Sequence, residues 1–191
     1  MPRPDDCPIL SRHLNQPTPS EPSHRSTREV FGAAVLTISD GVSRGHRDDG
    51  SGAALVELLE SHGFSVTVRK VVPDDAAEIG GAIVDLAARV SLVVTTGGTG
   101  LGPRDVTPEA TRLVLDREAP GLVMLMLLAA IKENPKAALS RAVVGSIGAC
   151  LVVNLPGSPR GAVENLTALL PILPHALALL AGDTEHRPPP A

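Results

Sequence analysis

Residues 95–110 read TTGGTGLGPRDVTPEA, a run crowded with residues that shape a backbone. Gly97, Gly98 and Gly100 permit positive φ and let a bulky anion come close to main-chain N–H groups. Thr107, Pro108 and Glu109 follow as a helix start: a hydroxyl cap, a proline in the first turn, then an acid. The amino end of a helix carries partial positive charge, which suits a phosphate. The lysine of a GxxxxGK[ST] loop is missing, however, and the glycine spacing is not GxGxxG. By itself the stretch fits a tight turn and a capped helix equally well.

Two further stretches share this character. In NLPGSPRGAVENL, Asn154 stands at a strand end, and Gly157 precedes Ser158-Pro159, another helix start. Ser158 alone reads best as a cap. Two glycine-flanked helix starts at one sheet edge suit a ligand with more than one anionic group. The stretch TISDGVSRGHRDDGSG adds Asp40, Asp48 and Asp49. Aspartate before glycine is also a common turn former, a reading that covers Asp40. An anion site avoids carboxylates unless a cation lies between. Asp49 and Asp105, on different loops, could therefore hold Mg²⁺, which takes one or two carboxylates plus ligand phosphates.

These loops need a scaffold, and the rest of the chain supplies one. FGAAVLTISD, SVTVRKVV and SLVVTTGG read as strands; SGAALVELLESHGF and PDDAAEIGGAIVDLAARV read as helices. TPEATRLVLDRE and GLVMLMLLAAIKEN are expected helices, and RAVVGSIGACLVVNLPGS two strands joined near Gly145–Gly148. SPRGAVENLTALLPILPHALALLAG is expected as two helices broken around Pro171 and Pro174. Alternating strands and helices imply an α/β fold with a mostly parallel sheet covered on both faces. Ligands of such sheets collect beyond the carboxyl ends of the strands.

Composition narrows the function. The 191 residues carry a formal net charge of -4, so no basic field draws nucleic acid. Phe31 and Phe64 are the only aromatic residues, which excludes base recognition on an aromatic platform. His46, His62, His175 and His186 lack ligand spacing, and Cys7 and Cys150 build neither a disulfide framework nor a zinc site. GLVMLMLLAAI is too short to span a bilayer, which takes roughly 20 residues. The N-terminal MPRPDDCPIL lacks the order of a signal peptide. The expectation is a soluble cytoplasmic protein without membrane or nucleic-acid partners. Residues 1–28 and 184–191 are expected as Pro-rich tails, and 29–183 as one domain.

TISDGVSRGHRDDGSG, TTGGTGLGPRDVTPEA and LSRAVVGSIGACLVVNLPGSP resemble, in order and spacing, the molybdopterin adenylyltransferase family, which includes the G domains of gephyrin-like proteins. The resemblance runs from Phe31 to Asp183. It implies a three-layer α/β/α, molybdopterin-binding-domain-like fold, typically trimeric. It implies molybdenum cofactor biosynthesis: with Mg²⁺, and ATP as co-substrate, molybdopterin becomes adenylyl-molybdopterin and pyrophosphate is released. Molybdopterin synthase and a molybdate-insertion protein are the implied protein partners. The implied catalytic and metal-binding acids fall on Asp49 and Asp105. The implied binding set takes Thr37, Ser39, Asp40, Ser51 and Gly52 from the first stretch. The second stretch adds Gly97, Gly98, Thr99, Gly100, Arg104 and Thr107, and the third Ser140, Arg141, Asn154, Pro156, Gly157 and Ser158. Arg104 and Arg141 would assist electrostatically, with surface ion pairing as the alternative for each.

One departure stands out. Where the family often carries Glu and Arg on the helix after Pro120-Gly121, this chain has Met124 and Leu127. A Met/Leu stripe there reads as core packing. It leaves open a non-catalytic molybdopterin-binding or scaffold protein of the same fold.

Overall fold

The computed structural model describes residues 30–183. The two expected tails, with Cys7 and His186, lie outside the described residues. β1 (Gly32–Ile38) leads through the short helix α1 (Asp40–Ser43) to α2 (Gly50–Ser61). β2 (Ser65–Val72) leads to α3 (Ala76–Ala87), and β3 (Leu92–Thr96) to α4 (Thr107–Arg112). There follow β4 (Arg117–Glu118), α5 (Pro120–Glu133), a 3-10 turn (Pro135–Leu139) and the hairpin of β5 (Val144–Ile147) and β6 (Cys150–Leu155). Helices α6 (Pro159–Leu169) and α7 (Leu173–Leu180) close the described chain.

The sheet order is β2-β1-β3-β6-β5-β4. β2, β1, β3 and β6 run parallel, while β5 is antiparallel to both of its neighbours. β1 explains the layering, because successive side chains of a strand point to opposite faces. Ala33 and Val35 pack with Leu55 and Leu59 of α2 and Leu166 of α6. Ala34, Leu36 and Ile38 pack with Ile79 and Ile83 of α3. A central parallel strand buried on both faces needs a continuous apolar run, and AAVLTI supplies it. The result is a three-layer α/β/α fold.

No single helix among the described residues is long and apolar enough to cross a membrane. α6 and α7 reach that length only together, bent by 66° at their break. Leu166, Leu169, Leu173 and Leu177 lie in the core.

Two expectations about elements need correction. TPEATRLVLDRE is not one helix: α4 stops at Arg112, and the chain then turns to pair β4 with β5. Main-chain bonds from Asp116 N to Ser146 O (2.8 Å) and Ala119 N to Val144 O (2.7 Å) reward that turn over continued helix. The Met/Leu stripe of α5 is not core either. Met126 and Ala130 are buried, but Met124 is 54% exposed, and Leu125, Leu128 and Ile131 are also exposed.

Asn154, fully buried, ties three elements together. Its Nδ2 donates to Thr95 Oγ1 of β3 and Thr111 Oγ1 of α4, both at 3.0 Å, and its Oδ1 accepts from Val143 N. Loss of such a partner leaves buried polar groups unsatisfied at about 1–3 kcal/mol. Asn154→Ala is therefore expected to lower unfolding free energy by about 2 kcal/mol in urea titration; an unchanged midpoint would contradict this role.

Candidate functional site

β1, β3 and β6 are adjacent and parallel, so the loops leaving their carboxyl ends meet at one edge. They enclose a cleft of about 770 Å³. Thr37 and Ser39 face it from the end of β1 and Ser51 from the start of α2. Gly97, Gly98, Thr99 and Gly100 form its floor after β3, and Pro156, Gly157 and Ser158 its border after β6. Val123 and Leu127 of α5, with Ser140, form a largely apolar far wall. Leu127 is thus a cleft residue.

The glycine loop holds its shape for identifiable reasons. Gly97 has φ 109° and Gly98 φ 63°, a region where side chains are strained. A Cβ on Gly97 would also collide with Ile38 O. Thr107 does not cap α4, whose N-cap is Val106 with no side-chain bond. Instead its hydroxyl donates to Gly97 O at 2.9 Å, and its N–H to Gly98 O at 3.1 Å. Arg141 closes the same loop: Nε donates to Gly100 O (2.6 Å) and Nη2 to Asp105 O (2.5 Å), and Nη1 pairs with Glu109. Ser158 is the cap that was expected, accepting from Gly161 N at 3.2 Å.

The acids differ sharply in availability. Asp49 caps α2 through Oδ1, which accepts from Gly52 N at 2.8 Å. Its Oδ2 accepts from Thr37 Oγ1 (2.9 Å) and from Arg69 Nε (3.0 Å) and Nη2 (2.8 Å). Its side chain is only 7% exposed. Burial pushes the carboxyl up, but Arg69, the Gly52 N–H and the Thr37 hydroxyl together outweigh it and hold Asp49 below the ordinary aspartate range. Gly52 is required here: a Cβ would collide with this carboxylate and stand 2.6 Å from Thr37 Oγ1. Asp105 uses Oδ2 to accept from Gly102 N at 2.8 Å, leaving Oδ1 with no hydrogen-bonding partner among the described residues.

Asp74, passed over in the sequence, lies on the same cleft. It exchanges bonds with Asp40: Asp40 N donates to Asp74 Oδ2 (2.8 Å) and Asp74 N to Asp40 Oδ1 (3.3 Å). Its Oδ1 has no protein partner among the described residues and lies beside Gly98, 3.4 Å from where a Cβ would stand. The visible signal was the doublet Asp74-Asp75 before α3. Asp75 is the N-cap, accepting from Ala77 N and Glu78 N, so its neighbour is free for other work. Arg47, also unforeseen, lines the cleft.

Several expected binding residues do not line it. Asp40 begins α1 and is paired with Arg104 at 2.7 Å, which holds its carboxyl below the usual range. Gly52 and Thr107 shape neighbouring residues, Arg104 and Arg141 are occupied as described, and Asn154 is sealed beneath the sheet edge. Among the described residues no three His, Cys, Asp or Glu side chains form a metal-ligand cluster. A cation here would draw its remaining ligands from phosphates or water.

Residues 34–175 match the family model described as "Probable molybdopterin binding domain". The chain belongs to this molybdopterin-binding domain family. Within the family, the molybdopterin adenylyltransferase of Helicobacter pylori (strain J99) is 37% identical over 153 residues, 78% of this chain and 87% of that protein. Gephyrin of Dictyostelium discoideum is 37% identical over 180 residues, 87% of this chain. The match spans only 25% of gephyrin's own length. The molybdopterin biosynthesis enzyme MoaB from Thermus thermophilus superposes with TM-score 0.76 at 49% identity, covering 80% of this chain and 98% of that one.

The Asp49–Arg69 pair gives this molybdopterin-binding domain a defined acid response. Because Asp49 is held below its unfolded pKa, its contribution is complete above that value and is lost as pH falls below about 4. Asp49→Asn should lower Tm clearly at about pH 7, and the deficit relative to wild type should shrink toward about pH 3. A deficit independent of pH would show that charge is not what matters there.

Proposed function

We propose that the chain acts in molybdenum cofactor biosynthesis as a molybdopterin adenylyltransferase, joining molybdopterin to the adenylyl group of ATP. The observation that carries this reading is the cleft itself. Two glycine loops and the capped start of α6 border it, and two partly free carboxylates, Asp74 and Asp105, share it. The likeness to the H. pylori enzyme, which this chain matches over 87% of that enzyme's length, supports the same reading.

In this reaction the terminal phosphate of the pterin attacks the α-phosphorus of ATP. The new P–O bond forms as the bond to the β-phosphate oxygen breaks, and pyrophosphate leaves with the electron pair. No protein nucleophile is needed, so the task of the chain is positioning and charge compensation. Main-chain N–H groups of Gly98, Thr99 and Gly100, together with the start of α6, would face the phosphates, while Gly97 N donates to Leu155 O at 3.2 Å. Val123, Leu127 and the aliphatic far wall hold the flat ring systems without aromatic stacking. Mg²⁺, when bound, neutralises phosphate charge at the reacting centre. We assign its ligands to Asp74 and Asp105, each with an uncommitted oxygen. The resemblance pointed to Asp49 and Asp105, but the Asp49 carboxylate already accepts from three protein groups. Asp49 is a positioning residue on this account.

On this proposal the protein works as a cytoplasmic homotrimer, with molybdopterin synthase upstream and a molybdate-insertion protein downstream. A buried free thiol, Cys150, suits a reducing compartment. The exposed Met124, Leu125, Leu128 and Ile131 of α5 offer an apolar surface for assembly.

Incubation with molybdopterin, ATP and Mg²⁺ should release pyrophosphate and yield the adenylylated pterin. Asp105→Asn and Asp74→Asn should each reduce turnover by about 100-fold or more while moving Tm little. Wild-type rates in both variants would remove these acids from the mechanism. Tight pterin binding without any pyrophosphate from the wild-type chain would favour the non-catalytic scaffold reading.

A further inference from the structure

Resting on the adenylyltransferase reading, we propose that Arg47 recognises the β- and γ-phosphates of the nucleotide, the pair that departs as pyrophosphate. The cleft poses a charge problem that no glycine loop solves. Among the described residues Asp48, Asp49, Asp74, Asp105 and Glu164 line it, against only Arg47 and Lys136. Arg69 compensates Asp49, and Arg160 pairs with Glu164. Asp48, Asp74 and Asp105 have no cationic partner among the described residues. A cation shared by Asp74 and Asp105 offsets charge at the reacting phosphorus, but a triphosphate extends beyond it. Its outer phosphates meet carboxylates unless a positive side chain faces them.

The other arginines around these loops are engaged elsewhere. Arg69 is held by Asp49, Arg104 by Asp40, and Arg141 by Glu109 and main-chain oxygens. Arg47 lines the cleft itself and has no carboxylate partner among the described residues. It is nevertheless anchored. Nη2 donates to Ser39 Oγ at 2.8 Å, and Ser39 is itself fixed as the N-cap of α1, accepting from Val42 N. The side chain lies over Gly41, where a Cβ would stand 3.3 Å from Nε. One hydrogen bond leaves most of the guanidinium N–H donors open to phosphate oxygens. A planar fork held in place by a neutral hydroxyl loses little freedom when it grips a phosphate pair. Lys136 is the weaker candidate. It sits on the 3-10 turn beyond the glycine loop, and its ammonium has no anchoring partner among the described residues.

The ligand chemistry is thus a diphosphate or triphosphate, and not the single phosphate of the pterin or of AMP. During transfer the electron pair of the broken bond passes to the departing pyrophosphate, and Arg47 meets that added charge.

The test is calorimetric titration of the full chain with inorganic pyrophosphate, and separately with AMP, in the presence of Mg²⁺. Arg47→Gln should weaken pyrophosphate binding by about tenfold, equivalent to about 1.4 kcal/mol, with AMP binding within about twofold of wild type. Arg47→Lys should recover part of the loss. Arg47 is exposed, so Tm should stay close to wild type in both variants. Equal pyrophosphate binding by Arg47→Gln and wild type, equal weakening toward AMP, or no pyrophosphate binding by the wild-type chain would each overturn the proposal. Arg47-dependent pyrophosphate binding in a chain that never forms the adenylylated product would leave this site standing and remove the reaction assigned to it.

Discussion

A single carboxylate organises this molecule's functional edge. Asp49 caps α2, accepts from the Thr37 hydroxyl at the end of β1 and receives the Arg69 guanidinium from edge strand β2. A buried carboxylate is costly unless its oxygens are satisfied. Here helix, central strand and edge strand each supply part of the satisfaction, so they must arrive together. The same saturation makes Asp49 a poor recipient for an incoming cation. In the proposed reaction that role is assigned to carboxylates with an oxygen to spare, and the cleft holds two such groups, Asp74 and Asp105.

The second constraint is steric. Gly97 and Gly98 adopt backbone angles that side chains disfavour, beneath Ile38 O and the Thr107 hydroxyl. Gly157 packs against them so closely that a Cβ would stand 3.2 Å from Gly97 Cα. Two loops from neighbouring strands can touch this way only without side chains, and the contact is fastened by Gly97 N donating to Leu155 O at 3.2 Å. Arg141 and Thr107 fasten this arrangement from behind. Residues whose types suggested ligand contact thus serve by fixing the shape of those that face it. That division of labour recurs at Asp40, Arg104 and Asn154.

What the sequence made legible follows the same physics. Apolar runs announced β1, β3 and β6, and SVTVRKVV also read as a strand, though not as the edge of the sheet. The glycine loops were legible because few residue types tolerate their geometry. Pairings across the sheet were not, since Arg69 finds Asp49 only once β2 has registered beside β1, with Val35 opposite Arg69. Asp74 was hidden because PDDAAEIGGAIVDLAARV reads simply as a helix, and only the fold separates the capping Asp75 from Asp74 on the cleft. Thr107 misled for a related reason, because a threonine ahead of Pro-Glu has the composition of a cap whether or not it acts as one. α5 misled because periodicity reports an apolar helix without saying which side will be covered.

In the proposed reaction the cation of this cleft belongs to Asp74 and Asp105 while Asp49 stays bound to Arg69. The most direct measurement is anomalous diffraction from crystals soaked with Mn²⁺ and a non-hydrolysable ATP analogue. A manganese peak is expected within coordinating distance of Asp74 and Asp105 carboxylate oxygens, with the Arg69 guanidinium still on Asp49. A peak on Asp49 with Arg69 displaced would contradict this assignment.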